Sequence, residues 1–293
     1  MLIMNKPDGM PLGGPLVIPG PYYFENLNMF TFFCRTAKPE NLKIFLPPGL
    51  RLWNPLFPKG IFLVTLVDYP QAWAEARPND IITYQEACIF IPVFHLKSGP
   101  ALYCAFIYLD TVPGIAAGRE VYGFPKKPAE FKIKESKTGG TGSVTEEKTT
   151  IIQASWKTGP DLSLPEVMSE LVKNVSSPFG FVTNTLKEWV GLFYKYLPRT
   201  LLRPRVPVIN WKKIPAVNAT VRKPAWSVNE LTISRFRIDN IYRHQKLIVR
   251  KDAVKFKGFA QAPLDRFNPI QTLFALKSNL DFTLPPGKVL KKL

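Results

Sequence analysis

The 293-residue sequence is poor in the residues that carry most metal and nucleophile chemistry. It has only two histidines, His95 and His244, and three cysteines, Cys34, Cys88 and Cys104. That scarcity excludes an HExxH zinc site, and with no CxxC pair or Cys–His cluster it argues against structural zinc. Each cysteine lies in an apolar, strand-like run, where a free thiol packs as a small hydrophobe, a pattern that fits a reducing compartment. The amino-terminal stretch "MLIMNKPDGMPLGGPLVIPG" has no basic region followed by a long apolar core. No run reaches the ~18 apolar residues of a membrane span, so the expected location is cytoplasmic. A GxSxG elbow and a Rossmann fingerprint after a strand are also missing. Any chemistry has to come from lysine, carboxylate, tyrosine or arginine.

Hydrophobic residues make up 46% and charged residues 21%, the balance of a folded globular chain. The 29 prolines are spread along the sequence, which suits many turns and sheet edges. The net charge of +17 is lopsided: from Lys195 onward there are 21 Lys+Arg against 5 Asp+Glu. Such asymmetry marks a nucleic-acid face, an anionic membrane surface, a solvated basic surface or a basic mouth for small anions. No nucleic-acid-binding signature accompanies it, so no nucleic-acid partner is expected.

The runs 29–36, 60–69, 81–96 and 100–110 read as strands, rich in β-branched and aromatic residues and bounded by Pro, Gly, Asn or Asp. Several are apolar on both faces, as in a closed or doubly covered sheet. "ESKTGGTGSVTEE" (135–147) reads as a polar, glycine-rich hairpin loop, since no GK[ST] follows its "GGTG". From Leu164 to Leu202 the period becomes helical, with a break at Ser177-Pro178. Leu186, Trp189, Val190, Phe193 and Leu197 then form one apolar stripe. Outer packing, a lid over a pocket and a membrane-surface contact all suit that stripe. Strand-like text returns in "ELTISRFRI" and "QKLIVRKDAVKFKGFAQ". One β-rich domain over 1–293, interrupted by a helical insertion at about 164–202, is the expected organisation.

The stretch "GREVYGFPKK" (118–127) places Lys126 and Lys127 together behind a proline. An amine must be neutral to attack a carbonyl, and a free lysine is almost wholly protonated at neutral pH. An apolar pocket and a neighbouring cation both disfavour the charged form. The flanks of Lys126 offer both, with Tyr122, Phe124 and Pro125 before it and Lys127 after it. Taken alone, "PKK" reads as two surface lysines in a turn after proline, and composition does not overturn that reading.

The surroundings decide between these. "GRE", four residues and "FPKK", preceded by "YLDTVPGIAA", resemble the G-R-E-x-x-x-[YF]-P-K-K motif of the acetoacetate decarboxylase family. "YQEACIFIPV" (84–93) is similar to that family's Y-x-E-x-x-x-x-I-P-V, and "GPYYF" (20–24) to its G-P-Y-x-F. Weaker similarities follow in "INWKKIP" and "AQAPL". The resemblance implies a mainly β (α+β) fold, an antiparallel sheet closed into a cone-like barrel with the reactive lysine inside. It implies a cofactor-free lyase, a small-molecule keto acid as partner, and a homo-oligomer. Lys126 corresponds to the Schiff-base nucleophile and Lys127 to its cationic neighbour, the rationale by which this family's lysine is understood.

Glu86 corresponds to the active-site glutamate, which orients substrate, pairs with the iminium or shuttles protons. Tyr84 and Phe124 flank these residues as substrate contacts. Arg119 and Glu120 read mainly as an ion pair holding the motif, with a substrate-binding role as the alternative. Two departures stand out. Leu27 occupies the position of the arginine that recognises the substrate carboxylate, and "GIFLVTLVDYP" has no second glutamate. They point to a keto acid larger and more apolar than acetoacetate. Decarboxylation, aldol or dehydration chemistry on the same iminium, and a non-catalytic binding barrel, all remain compatible with the motifs.

Overall fold

Alternation along the strands explains why so many of them are apolar on both faces. In the computed structural model, which describes residues 20–53, 59–175, 205–215, 226–258 and 263–293, the run 81–96 falls within a strand from Arg77 to His95. Its Tyr84 and Cys88 face one apolar cluster, and Ala87, Ile89 and Ile91 face another. Successive side chains of a strand point to opposite faces, so a strand between two cores needs apolar groups at every position. Glu86 is the polar exception on the Tyr84 face.

The elements in chain order are β1 (Tyr22–Thr36), α1 (Glu40–Lys43), β2 (Arg51–Leu52), β3 (Ile61–Ala74), β4 (Arg77–His95) and β5 (Gly99–Leu109). Next come α2 (Val112–Ala117), a π-helical turn (Gly118–Tyr122), β6 (Lys126–Pro128), β7 (Glu130–Ser136), β8 (Gly139–Glu146) and β9 (Thr149–Asp161). The last group is α3 (Leu164–Val175), β10 (Arg205–Pro215), β11 (Trp226–Ile248), β12 (Val254–Phe256), β13 (Ile270–Leu284) and β14 (Lys288–Lys292).

One sheet runs in the order β10-β5-β4-β3-β1-β13-β11, and a further β10–β11 pairing closes these seven strands into a ring. Sheet closure removes the exposed edges that would otherwise template aggregation. The closure is not purely antiparallel, because β10 pairs with β5 in parallel. Beyond β11 the sheet continues through β9, β8 and β7. The fold is mainly β, as the sequence predicts.

All seven ring strands contribute to one apolar cluster, through residues such as Phe24, Val67, Cys104, Val208, Phe236 and Phe282. A second cluster, with Phe30, Phe62, Ile89, Ile152 and Trp156, joins the ring to β9. The N–H of Asn26, at φ 53, donates to Asp281 at 2.8 Å beside a register shift in β1. Leu27, the next residue, is fully buried in the first cluster.

One expectation changes. The segment 135–147 is not a long loop: apart from a tight turn it is the end of β7 and the whole of β8. Its glycines exist for packing. A Cβ on Gly140 would stand 2.6 Å from the Trp156 ring, and one on Gly142 would stand 2.3 Å from Leu66. Of the helical segment, the described part is α3, Leu164–Val175. The predicted stripe from Leu186 to Leu197 lies outside the described residues, as does most of "AQAPL". Among the described residues no helix is long and apolar enough to cross a membrane.

Candidate active site

The "GREVYGFPKK" motif folds as helix, π-helical turn and short strand, and each part has a physical reason. Pro113 lies in the first turn of α2, where its missing N–H costs no helical hydrogen bond. The π-helical turn then stops at Gly123, whose φ of 75 lies in the left-handed region; a Cβ there would also stand 2.5 Å from the Lys212 Cβ. The Phe124 N–H donates to the Gly118 carbonyl at 3.0 Å. The Tyr122 carbonyl accepts from Thr232 Oγ1 at 2.7 Å and from Asn210 Nδ2 at 3.3 Å, which ties the turn to β11 and β10. Strand β6 then pairs in parallel with β5, Lys126 opposite Ile107.

This path brings Lys126 into the ring. Its residue is 8% exposed, and its Nζ is 3.0 Å from Oε2 of Glu86, itself 6% exposed. The other carboxylate oxygen, Oε1, accepts from the Tyr69 hydroxyl at 3.2 Å and from the Cys88 thiol at 3.3 Å. Glu86 is thus held from one side and left to face the amine with the other. Burial, reinforced by the Glu86 charge, pushes the Tyr69 hydroxyl well above its ordinary range, and burial does the same to Tyr84. Burial also raises the Cys88 thiol. All three therefore stay protonated at neutral pH, Tyr69 and Cys88 as donors to the carboxylate. The Lys126 Nζ stands 5.8 Å from the ring centres of both Tyr84 and Phe124.

The Lys126 stem crosses the face of Gly118. A Cβ on that glycine would lie 2.4 Å from the lysine Cδ and Cε. The first glycine of the motif is therefore the floor over which the amine reaches Glu86.

Above the amine is a cavity of about 410 Å³, within the ~300–1,000 Å³ range of small-molecule sites. Its walls are mainly apolar, with Phe24, Ala72, Trp73, Ile82, Tyr84 and Phe124 among them. The charged residues among the described lining are Lys126, Arg77 and Asp80.

Of the residues singled out in the sequence, the structure brings together Lys126, Glu86, Tyr84 and Phe124. Lys127, the next residue on β6, sends its ammonium to Glu146 at 3.4 Å. Arg119 and Glu120 are exposed; among the described residues neither has an ion-pair partner, and neither lines the cavity. Leu27 is core and does not line it either. Sequence reasoning missed Tyr69, Cys88 and Arg77. For Tyr69 a signal existed: it lies in the very stretch noted for its lack of a second glutamate.

The model of the acetoacetate decarboxylase family matches residues 9–293. The chain belongs to that family. It is 35% identical over 128 residues to the acetoacetate decarboxylase of Ralstonia nicotianae, a stretch covering 44% of this chain and 47% of that one. It is 34% identical over 125 residues to acetoacetate decarboxylase 1 of Bradyrhizobium diazoefficiens, covering 43% and 45%. The chain thus spans about half the length of the curated relatives it matches.

Among solved structures, acetoacetate decarboxylase from Legionella pneumophila superposes with a TM-score of 0.68 at 21% identity, over 97% of this chain and 92% of that one. The enduracididine biosynthesis enzyme MppR, solved complexed with pyruvate, superposes with a TM-score of 0.62 at 14% identity, over 96% and 94%. At these identities the likeness is one of fold. Within the acetoacetate decarboxylase family, the Y-x-E and P-K-K blocks meet in this chain as the buried pair Glu86–Lys126.

Proposed function

We propose that this protein is a cofactor-free lyase that decarboxylates a keto acid larger and more apolar than acetoacetate, through a Schiff base on Lys126. The observation that carries the reading is the Lys126 amine, buried at an apolar cavity and 3.0 Å from a buried carboxylate. Before attack the ammonium must lose a proton, and Glu86 is in reach to take it. The free amine adds to the substrate ketone, and loss of water gives an iminium.

The bond to the substrate carboxylate then breaks. Its electron pair moves into the iminium to give an enamine as carbon dioxide leaves. Glu86 gives its first proton to the departing water, takes another from solvent and delivers that one to the enamine carbon, and water hydrolyses the resulting iminium to free ketone and amine. Tyr69 and Cys88 hold the carboxylate in place through this exchange. Lys127 is a supporting cation that pairs with Glu146, and its contribution here is to the scaffold of β6. The whole chain, acting as one domain in a homo-oligomer, belongs to the same proposal.

The cavity volume favours a second reading in one respect, since it leaves room for a second carbonyl compound beside the iminium. Aldol or dehydration chemistry would use the same lysine. A panel of β-keto acids of increasing chain length, assayed for carbon dioxide release, tests the first reading. Release should rise with chain length and vanish in Lys126→Ala. Fast release from acetoacetate itself would overturn the larger-substrate assignment, and release that survives in Lys126→Ala would overturn the mechanism.

A further inference from the structure

An anionic substrate entering an apolar cavity needs a cationic partner, because an unpaired carboxylate is costly to desolvate. Among the described lining residues the cations are Lys126 and Arg77. Lys126 is committed to the carbonyl, which leaves Arg77.

Arg77 opens β4 and lies seven positions before Tyr84, roughly 23 Å of extended strand. Lys126 is held at Glu86, nine positions along β4 from Arg77, so the two cations reach the one cavity from separate stretches of its wall. Arg77 therefore suits a group remote from the reacting ketone rather than the carboxylate beside it. The base of Arg77 is firm: it pairs with Ala74 across the turn, and within that turn Glu75 accepts from the Tyr23 hydroxyl at 2.9 Å while its N–H donates to the Pro21 carbonyl at 3.0 Å. Its fork is readily won. The contact to Asp80 is a single one at 3.5 Å, with the side chains 47% and 62% exposed, and exposed pairs of this kind contribute little. A carboxylate accepting two parallel N–H bonds from the guanidinium is the stronger partner.

We propose that Arg77 is a specificity residue that binds a second carboxylate at the far end of the substrate. The preferred substrate class is then a keto acid with an apolar spacer and a remote acidic group. The spacer lies against Phe24, Trp73 and Ile82, and the remote acid displaces Asp80 at the mouth. This inference rests on the Lys126 reading, and its test separates the two.

Three methyl ketones of equal chain length, ending in a methyl, a carboxylate or an ammonium group, would be reduced onto the protein with borohydride and the adducts weighed. In the wild type the carboxylate-ended ketone should be trapped at a concentration at least tenfold lower than the methyl-ended one. In Arg77→Ala that ratio should collapse to about one, and Arg77→Lys should restore part of it. A ratio that Arg77→Ala leaves in place, or a preference for the ammonium-ended ketone, would overturn the assignment of Arg77 while keeping that of Lys126. Failure of the wild type to trap any of the three would overturn the Lys126 reading and this inference with it.

Discussion

Gly118→Ala should silence the lysine while sparing the fold. Gly118 has φ −66 and ψ −42, values an alanine adopts readily. In a helical position the change favours folding by about 0.8–1.0 kcal/mol. Against that, the new Cβ would stand 2.4 Å from the Lys126 Cδ and Cε, where carbon atoms rest at ~3.5–4.0 Å. The stem has to shift by more than ~1 Å, and it has little room to do so with its end 3.0 Å from Glu86 and rings of Tyr84 and Phe124 nearby. Overpacking of this kind costs ~1–3 kcal/mol, so the net loss of stability is at most about 2 kcal/mol. A misplacement of ~1 Å in a reacting group costs about 100-fold in rate. The assay is the rate of borohydride-dependent adduct formation by mass spectrometry, beside thermal unfolding by circular dichroism. Adducts should form about 100-fold more slowly, with Tm lowered by no more than several degrees. Trapping at the wild-type rate would refute the claim that Gly118 sets the path of the lysine.

Glu86→Gln keeps the shape and the bonds that Oε1 accepts from Tyr69 and Cys88, but it puts an NH2 donor where Oε2 accepts from Lys126 and so removes the proton acceptor; kcat should fall by about 10²–10⁴ with KM little altered, and a change confined to KM would make Glu86 a positioning residue only. Lys127→Ala strips the ammonium from buried Glu146, whose Oε2 has no hydrogen-bond partner among the described residues. Leaving such an acceptor uncompensated costs about 1–3 kcal/mol, so Tm should fall while the pH profile of trapping keeps its shape; a shifted alkaline limb at wild-type stability would show that the charge acts on Lys126 directly. His244 is half-buried, with Nδ1 2.8 Å from Ser278 Oγ and its buried Nε2 unpartnered among the described residues. Burial holds it below the ordinary value of 6.5, so the unfolded chain takes the proton first. Its contribution is therefore full above about pH 6.5 and is lost as pH falls below it. His244→Asn should narrow the Tm gap between pH 7.5 and 5.5, and an unaltered gap would place the acid sensitivity elsewhere.

Much of this was legible in the sequence because strand alternation and the family blocks are local patterns. The apolar double face of β4 announced a covered sheet, and the Y-x-E and P-K-K blocks named the two residues that meet in space. Other features depend on what a residue faces, which period and composition do not encode. The glycines of "GGTG" read as a loop, yet they are a strand kept bare by Trp156 and Leu66. Adjacent lysines read as one electrostatic unit, yet Lys126 goes to Glu86 and Lys127 to Glu146. Tyr69 and Cys88 look like ordinary core residues until the fold turns both toward one carboxylate. Arg77 stands outside every motif, and only the shape of the cavity brings it forward.

The most direct test of the central claim is to locate the covalent bond. The protein would be incubated with a β-keto acid of long apolar chain, reduced with borohydride, digested and sequenced by mass spectrometry. The account predicts one modified position, Lys126, carrying the decarboxylated ketone as a secondary amine. A modified peptide bearing the label on Lys127 or any other lysine, or an unmodified Lys126 under conditions of active turnover, would contradict it.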